Sequence, residues 1–320
     1  MPRPPSISRR AFLVTSAAGA ASWLASRHAA AADKPALRFA EQPALRFAEQ
    51  PGGRLQVLEG DQPVLTYVWG NQLKEGVPER YRRACYCHPV WAPDGTVLTD
   101  DFPKDHYHHR GIFWCWPQMK ARGKTVQTWH LEGIAQTFRT WNSKTADAEG
   151  ASLDVTNDWL LEGGERVGRE RLLMAAHRAS PVGRAIDFAL TFEAEGGPVE
   201  LLGAKGKGYG GFCFRFAPRK DTVITTDTGV QKGDSDKQTS KWADLSARFE
   251  GGDGAAGAAI FVHPGSHHKP TGWTLRHYGF LGPSWPGLEP YTLEPGVPVT
   301  LRYRVYVHRG GAAEGKVAEA

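Results

Sequence analysis

The sequence is poor in cysteine and methionine, with four and three in 320 residues. Cys85, Cys87, Cys115 and Cys213 form no Cys-x-x-Cys pair, so the usual zinc spacing is missing. Cys85 and Cys87 fall in one strand-like stretch, where alternate residues share a face and do not readily bridge each other. Buried free thiols are the expectation, with a bridge between distant strands as the alternative in an exported protein. Long apolar runs are missing too: no stretch is apolar enough over about 20 residues to cross a bilayer as a helix. Helical periodicity is the third absence. No window of a dozen residues carries a 3.6-residue amphipathic period with caps at both ends.

A basic excess exists only on paper. The chain carries 39 Lys and Arg against 34 Asp and Glu. Ser8-Arg9-Arg10-Ala11-Phe12-Leu13 is a twin-arginine signature, followed by a weakly apolar stretch and the small-residue run Ala29 to Ala32. It reads as an export signal over residues 1–32, cleaved before Asp33, which places the protein in the periplasm or outside the cell. Taking its four arginines from the 39 leaves 35 basic residues against 34 acidic ones, a net charge of +1. Nothing in that balance supports nucleic-acid binding.

About 288 residues then remain. Pro35 to Gln42 is repeated unchanged as Pro43 to Gln50, a tandem octapeptide too short to be an architectural repeat. An even repeat length keeps one face inward in either copy, so either could serve as an edge strand. Residues 33–53 are expected to be a flexible segment. From Leu55 onward strand signals recur. Leu55 to Val57 and Val64 to Trp69 flank the turn-like Glu59-Gly60-Asp61-Gln62-Pro63, a hairpin pattern. Ile186, Phe188, Leu190 and Phe192 alternate with polar or small residues, as do Leu301, Tyr303, Val305 and Val307. Short strands between Gly/Pro turns, without a break in composition, predict one all-β domain over 54–309, a large antiparallel two-sheet sandwich. Residues 310–320, polar and rich in Gly and Ala, are expected to be a disordered tail.

The chemistry concentrates in Asp105-His106-Tyr107-His108-His109-Arg110-Gly111. Three of the twelve histidines lie within four residues, beside aspartates and an arginine, and an aromatic strand-like run follows. Neutral histidine exchanges protons or binds metals near neutral pH, and its neighbours select which. A solvated loop whose histidines cap turns is the plain alternative. Gly206-Lys207-Gly208-Tyr209-Gly210-Gly211 satisfies a dinucleotide fingerprint, but Phe212 to Phe216 continues as a strand where that fingerprint needs a helix. A second cluster runs from His263-Pro264 through His267 and His268 to Trp273, Arg276, His277 and Tyr278. Histidines, arginines and flat aromatic faces together describe a polar ligand with an apolar face, as a sugar has.

These blocks, with Tyr209-Gly210-Gly211-Phe212 and Arg215 between them, resemble the bacterial PmoA-like family, grouped with the galactose-mutarotase-like β-supersandwiches. Two positions depart from its pattern: Tyr107 stands where the family commonly has Pro, and His277 where it often has an acidic residue. The resemblance implies a supersandwich with a carbohydrate-binding concave face. It also implies sugar chemistry with histidine as acid, here His108 or His109, and a carboxylate as base, here Glu132 or Glu289. His106, Arg110, Tyr209, His263, Trp273, Arg276 and Tyr278 would bind the ligand, a small molecule or oligosaccharide. No cofactor is expected.

Three readings compete. An exported sugar-processing enzyme (a glycoside hydrolase, lyase or epimerase) requires His106, His108, His109, His263 and Arg276 to converge in one cleft, and His109 and His263 on opposite faces of the molecule would sink it. A non-catalytic carbohydrate-binding protein would use the same residues as hydrogen-bond partners. A metal site could be built from His106, His108 and His263, the first two sharing a face if the segment is extended.

Overall fold

A computed structural model describes residues 44–267 and 272–320. The expected export signal, the first octapeptide copy and His268 lie outside the described residues. Two nine-stranded antiparallel sheets face each other. The first runs Leu45–Gln50, Arg54–Glu59, Gln62–Val68, Tyr86–Val90, Ile112–Cys115, Gly211–Arg215, Phe280–Pro283, Trp273–Arg276 and Ser235–Gln238 from edge to edge. The second runs Gly229–Gln231, Arg219–Thr226, Trp242–Phe249, Ala255–Val262, Val299–Arg309, Gly183–Ala194, Arg166–His177, Gly150–Leu161 and Ile134–Ala146. A four-stranded sheet of Tyr291–Leu293, Val199–Leu202, Gln118–Ala121 and Lys124–Val126, unforeseen from sequence, completes the fold.

The architecture is the expected all-β, two-sheet antiparallel sandwich. The expected hairpin forms, with Leu55 opposite Tyr67 and Val57 opposite Leu65. The two clearest alternating stretches pair with each other, Ile186 opposite Val305 and Leu190 opposite Leu301, and bury one face in the core. All four cysteines are buried and free. Cys85 does not share a strand face with Cys87, because its φ of 62° breaks the extension just before the strand at Tyr86.

Both ends of the described chain are more ordered than expected. The second octapeptide copy takes the edge-strand place that either copy could fill: Leu45–Gln50 pairs along its length with Arg54–Glu59. Gly52 and Gly53, with φ of 80° and 73°, make the sharp reversal between them. The tail is not frayed. Val317 is fully buried against Ala259 and Tyr306, and the chain closes in a short 3₁₀ turn over Val317–Glu319.

Between the sheets lies a buried carboxyl group. Glu170 is fully buried, and its carboxylate accepts hydrogen bonds from Trp114 Nε1 (2.8 Å), Gln136 Nε2 (2.9 Å), Asn157 Nδ2 (2.8 Å) and Trp159 Nε1 (3.0 Å). Trp114 belongs to the first sheet and the other three to the second. Burial raises the pKa of Glu170, while its four donors act in the opposite direction.

Candidate functional site

Four strands of the first sheet present one row of side chains to the core and the other to the outside. Ile112, Trp114, Phe212, Phe214, Trp273, Leu275 and Leu281 enter the main core. Phe113, Cys115, Cys213 and Phe280 point the other way and form a separate apolar cluster with Trp129, Tyr86 and Val68. A cavity of about 300 Å³ opens on that outer face, within the usual size of a small-molecule pocket. Its lining brings together His106, His108, His109, Trp129, His130, Lys207, Tyr209, Thr274, Arg276, Tyr278 and Phe280.

Residues 103–109 form successive tight turns, not an extended strand: the His106 amide donates to the Pro103 carbonyl and the His109 amide to the His106 carbonyl. Arg110 braces these turns from beneath. It is wholly buried, pairs with Asp101 at 3.3 Å, and donates to the carbonyls of Tyr107 (2.6 Å), His109 (2.8 Å) and Tyr81 (2.5 Å). Its guanidinium lies 3.6 Å from the centre of the Phe102 ring. Arg110 therefore holds the loop in place and does not line the pocket. Gly111 follows because a Cβ there would stand 2.2 Å from the Cys87 carbonyl oxygen.

The rings form a stack. His106 lies between His109, at 4.6 Å and 5° from parallel, and Tyr278, at 5.3 Å and 10°. His108 meets His109 edge-on at 4.5 Å and His130 at 4.4 Å. Behind His106, its Nδ1 lies 2.9 Å from Asp105 Oδ2, and Asp105 accepts two bonds from Arg215 at 2.8 and 3.0 Å. Burial works to raise the Asp105 carboxyl, but its contacts with His106 and Arg215 outweigh that and hold it below the usual range.

His108 and His109 are different. Burial pushes His108 down to about 2, with His130 and Arg83 adding to the effect. Burial also lowers His109 far below its ordinary value, helped by His108. Both are neutral imidazoles at pH 7. Neither ring nitrogen of His109 has a hydrogen-bond partner, nor does Nε2 of His108 or Nδ1 of His106, whose contact with Asp105 is short but out of line. Unpaired buried nitrogens of this kind are costly, and they cluster at functional sites.

The other expected site residues lie elsewhere. Trp273 points inward, fully buried, with its indole on the Ser240 carbonyl; its neighbours Thr274 and Arg276 face the pocket. Glu289 is exposed and away from the pocket lining. Glu132 is exposed and accepts from Gln127 at 2.6 Å, and its charge acts to raise His130 of the pocket lining. His263 ends a strand of the second sheet, where its Nδ1 accepts from the Gly265 amide at 2.9 Å. It borders a wider groove of about 810 Å³ on that sheet's outer face, with Lys241, Trp242, Arg302 and Arg304. His109 and His263 thus stand on opposite faces of the sandwich. The sugar-enzyme hypothesis as framed, which required His263 in the same cleft, is overturned, as is the three-histidine metal site. Among the described residues no group of three His, Cys, Asp or Glu is arranged to hold a metal ion.

Sequence reasoning missed Trp129 and His130, which lie between short strands with no pattern to mark them. It also missed Lys207, discarded together with the false fingerprint. In that segment Gly208 and Gly211, with φ of 78° and 89°, turn the chain so that Lys207 and Tyr209 both reach the pocket. The Asp105–Arg215 pair spans 110 residues of sequence and leaves no local signal.

Fold and site together define an all-β sandwich with a histidine- and aromatic-lined pocket on the outer face of one sheet. Residues 54–320 match the family of unknown function DUF6807, and the chain belongs to that family. The match does not carry the PmoA-like name. Among curated proteins none matches. Solved structures similar to the chain include a galactose mutarotase related enzyme from Lactobacillus acidophilus, at 9% identity and TM-score 0.39, covering 82% of this chain and 97% of that one. Another is an aldose epimerase homologue from C. elegans, at 9% and 0.34, covering 83% and 100%. A putative kojibiose phosphorylase from human microbiome gives 8% and 0.37, covering 87% of this chain. The chain spans about a third of the length of that phosphorylase and of a similar polysaccharide lyase.

Proposed function

We propose that this pocket binds a carbohydrate and that the protein is an exported sugar-processing enzyme in which His106 transfers the proton. The Arg215–Asp105–His106 chain carries this reading. Asp105 Oδ2, 2.9 Å from Nδ1 but out of line for a hydrogen bond, favours the proton on that nitrogen through its charge and leaves Nε2 as the base, a role that needs an orienting partner. His108 and His109, neutral at working pH, act as hydrogen-bond partners for hydroxyls and not as acids. Tyr278 and Tyr209, backed by the buried Trp129, give the aromatic surface on which sugar C–H groups stack.

The test is a His106→Asn variant assayed for sugar turnover by NMR and for binding by calorimetry. Loss of general acid–base catalysis is expected to lower turnover by about 10²-fold or more with binding within a few-fold. Unchanged turnover would remove His106 from the chemistry. Binding without turnover of any sugar by the parent protein would establish the carbohydrate-binding reading instead. Export rests on Arg9 and Arg10, and Arg9→Lys with Arg10→Lys should leave the chain in the cytoplasm.

A further inference from the structure

Arg83 is a buried cation without an anion. It is 2% exposed. Its Nη2 donates to the Thr128 carbonyl, next to Trp129 in the pocket wall, and its guanidinium lies 5.3 Å from the centre of Phe113. Nε and Nη1 have no hydrogen-bond partner. The other arginines around the pocket are neutralised: Arg110 by Asp101, Arg215 by Asp105 and Arg276 by Asp236. Among the described residues no carboxylate stands at ion-pair distance from Arg83, or from Lys207 on the pocket lining.

The lining repeats this imbalance. It holds Lys207, Arg276 and four histidines, and no aspartate or glutamate. The charge of Arg83 also reaches His108, His109 and His130, lowering each. A buried, unpaired charge is unfavourable, and a ligand of opposite sign is the group that would relieve it.

We infer that the saccharide this pocket takes is acidic, bearing a carboxylate or a sulfate whose negative charge balances Arg83 and Lys207. The inference rests on the carbohydrate reading above: aromatic walls select a sugar, and the uncompensated cations select an anionic one. Arg83 acts through the field of the wall, and Lys207 by reaching the ligand.

The test uses the full chain and calorimetry at pH 7 with three oligosaccharides of matched length and linkage. One carries uronates, one is its carboxyl-reduced neutral counterpart, and one is a sulfated form of the neutral sugar. At least one acidic sugar should bind tenfold or more tighter than the neutral one, and which of the two does so names the anion. Arg83→Met should cut that ratio to threefold or less, and so should Lys207→Met, an exposed substitution that leaves the core intact. Equal binding of neutral and acidic sugars overturns the inference and leaves the carbohydrate reading standing. A ratio retained in both variants overturns it as well. Acetate or sulfate ions binding as tightly as the acidic sugars would remove the carbohydrate reading, and this inference with it.

Discussion

The imidazole of His106 lies face to face with the phenol ring of Tyr278, centres 5.3 Å apart and planes 10° from parallel. His109 closes the stack on the other side. Stacking holds the ring plane, and the Asp105 charge 2.9 Å from Nδ1 favours the tautomer that leaves Nε2 as the base. Tyr278→Ala should therefore weaken catalysis by loosening His106, lowering kcat more than it raises KM. A rise in KM alone would make Tyr278 a binding surface only.

His108 and His109 make stability depend on pH. Their folded values lie below the ordinary histidine value of about 6.5, so the unfolded chain binds more protons once pH falls beneath it. Stability is fully present above about pH 6.5 and is lost as pH falls toward the folded values. Each histidine contributes a slope of up to about 1.4 kcal/mol per pH unit. Tm measured from pH 7 to pH 4 should fall steeply in the parent and less so in His108→Asn. Equal slopes in the two proteins would show that His108 is not held neutral.

Glu170 accepts from four N–H groups that can only donate. Glu170→Leu strands all four and should cost roughly 3–5 kcal/mol in urea unfolding. Glu170→Gln keeps one acceptor oxygen and should cost less, roughly 1–2 kcal/mol. A Leu variant as stable as the parent would mean that the carboxylate does not join the sheets.

Arg110→Lys keeps the charge but cannot donate to three carbonyls in the same geometry. Hydrogen exchange of residues 105–110 should quicken at least tenfold while the strands stay protected. Slow exchange throughout would show that the loop holds itself.

Val317→Asp places a charge where Ala259 and Tyr306 pack. It should lower stability by roughly 2 kcal/mol or more and leave ligand affinity unchanged, since that packing is on the sheet opposite the pocket. A matched loss of affinity would link the two faces.

Alternation made the sandwich readable. Phe188 and Val305 announce their faces two residues at a time, and burial follows that rhythm. The histidine block could be located by density alone, yet its turns hid the fact that Arg110 supports the site from below. Glu289 and His263 misled because they stand beside Gly and Pro at strand ends, where turn chemistry and site chemistry use the same residue types. Asp105 with Arg215 and Glu170 with Trp114 are joined only by the folded topology. Val317 looked like a tail residue because a single apolar anchor has no period.

In the strand Trp273–Arg276 the core and the pocket are written on alternate letters of one short word. Inserting or deleting one residue there would exchange the two readings, sending Arg276 toward the interior and an apolar side chain into the ligand's space. Length change in the strands carrying the pocket is thus confined to even steps, so such a lineage would explore new specificities by substitution and by loop growth.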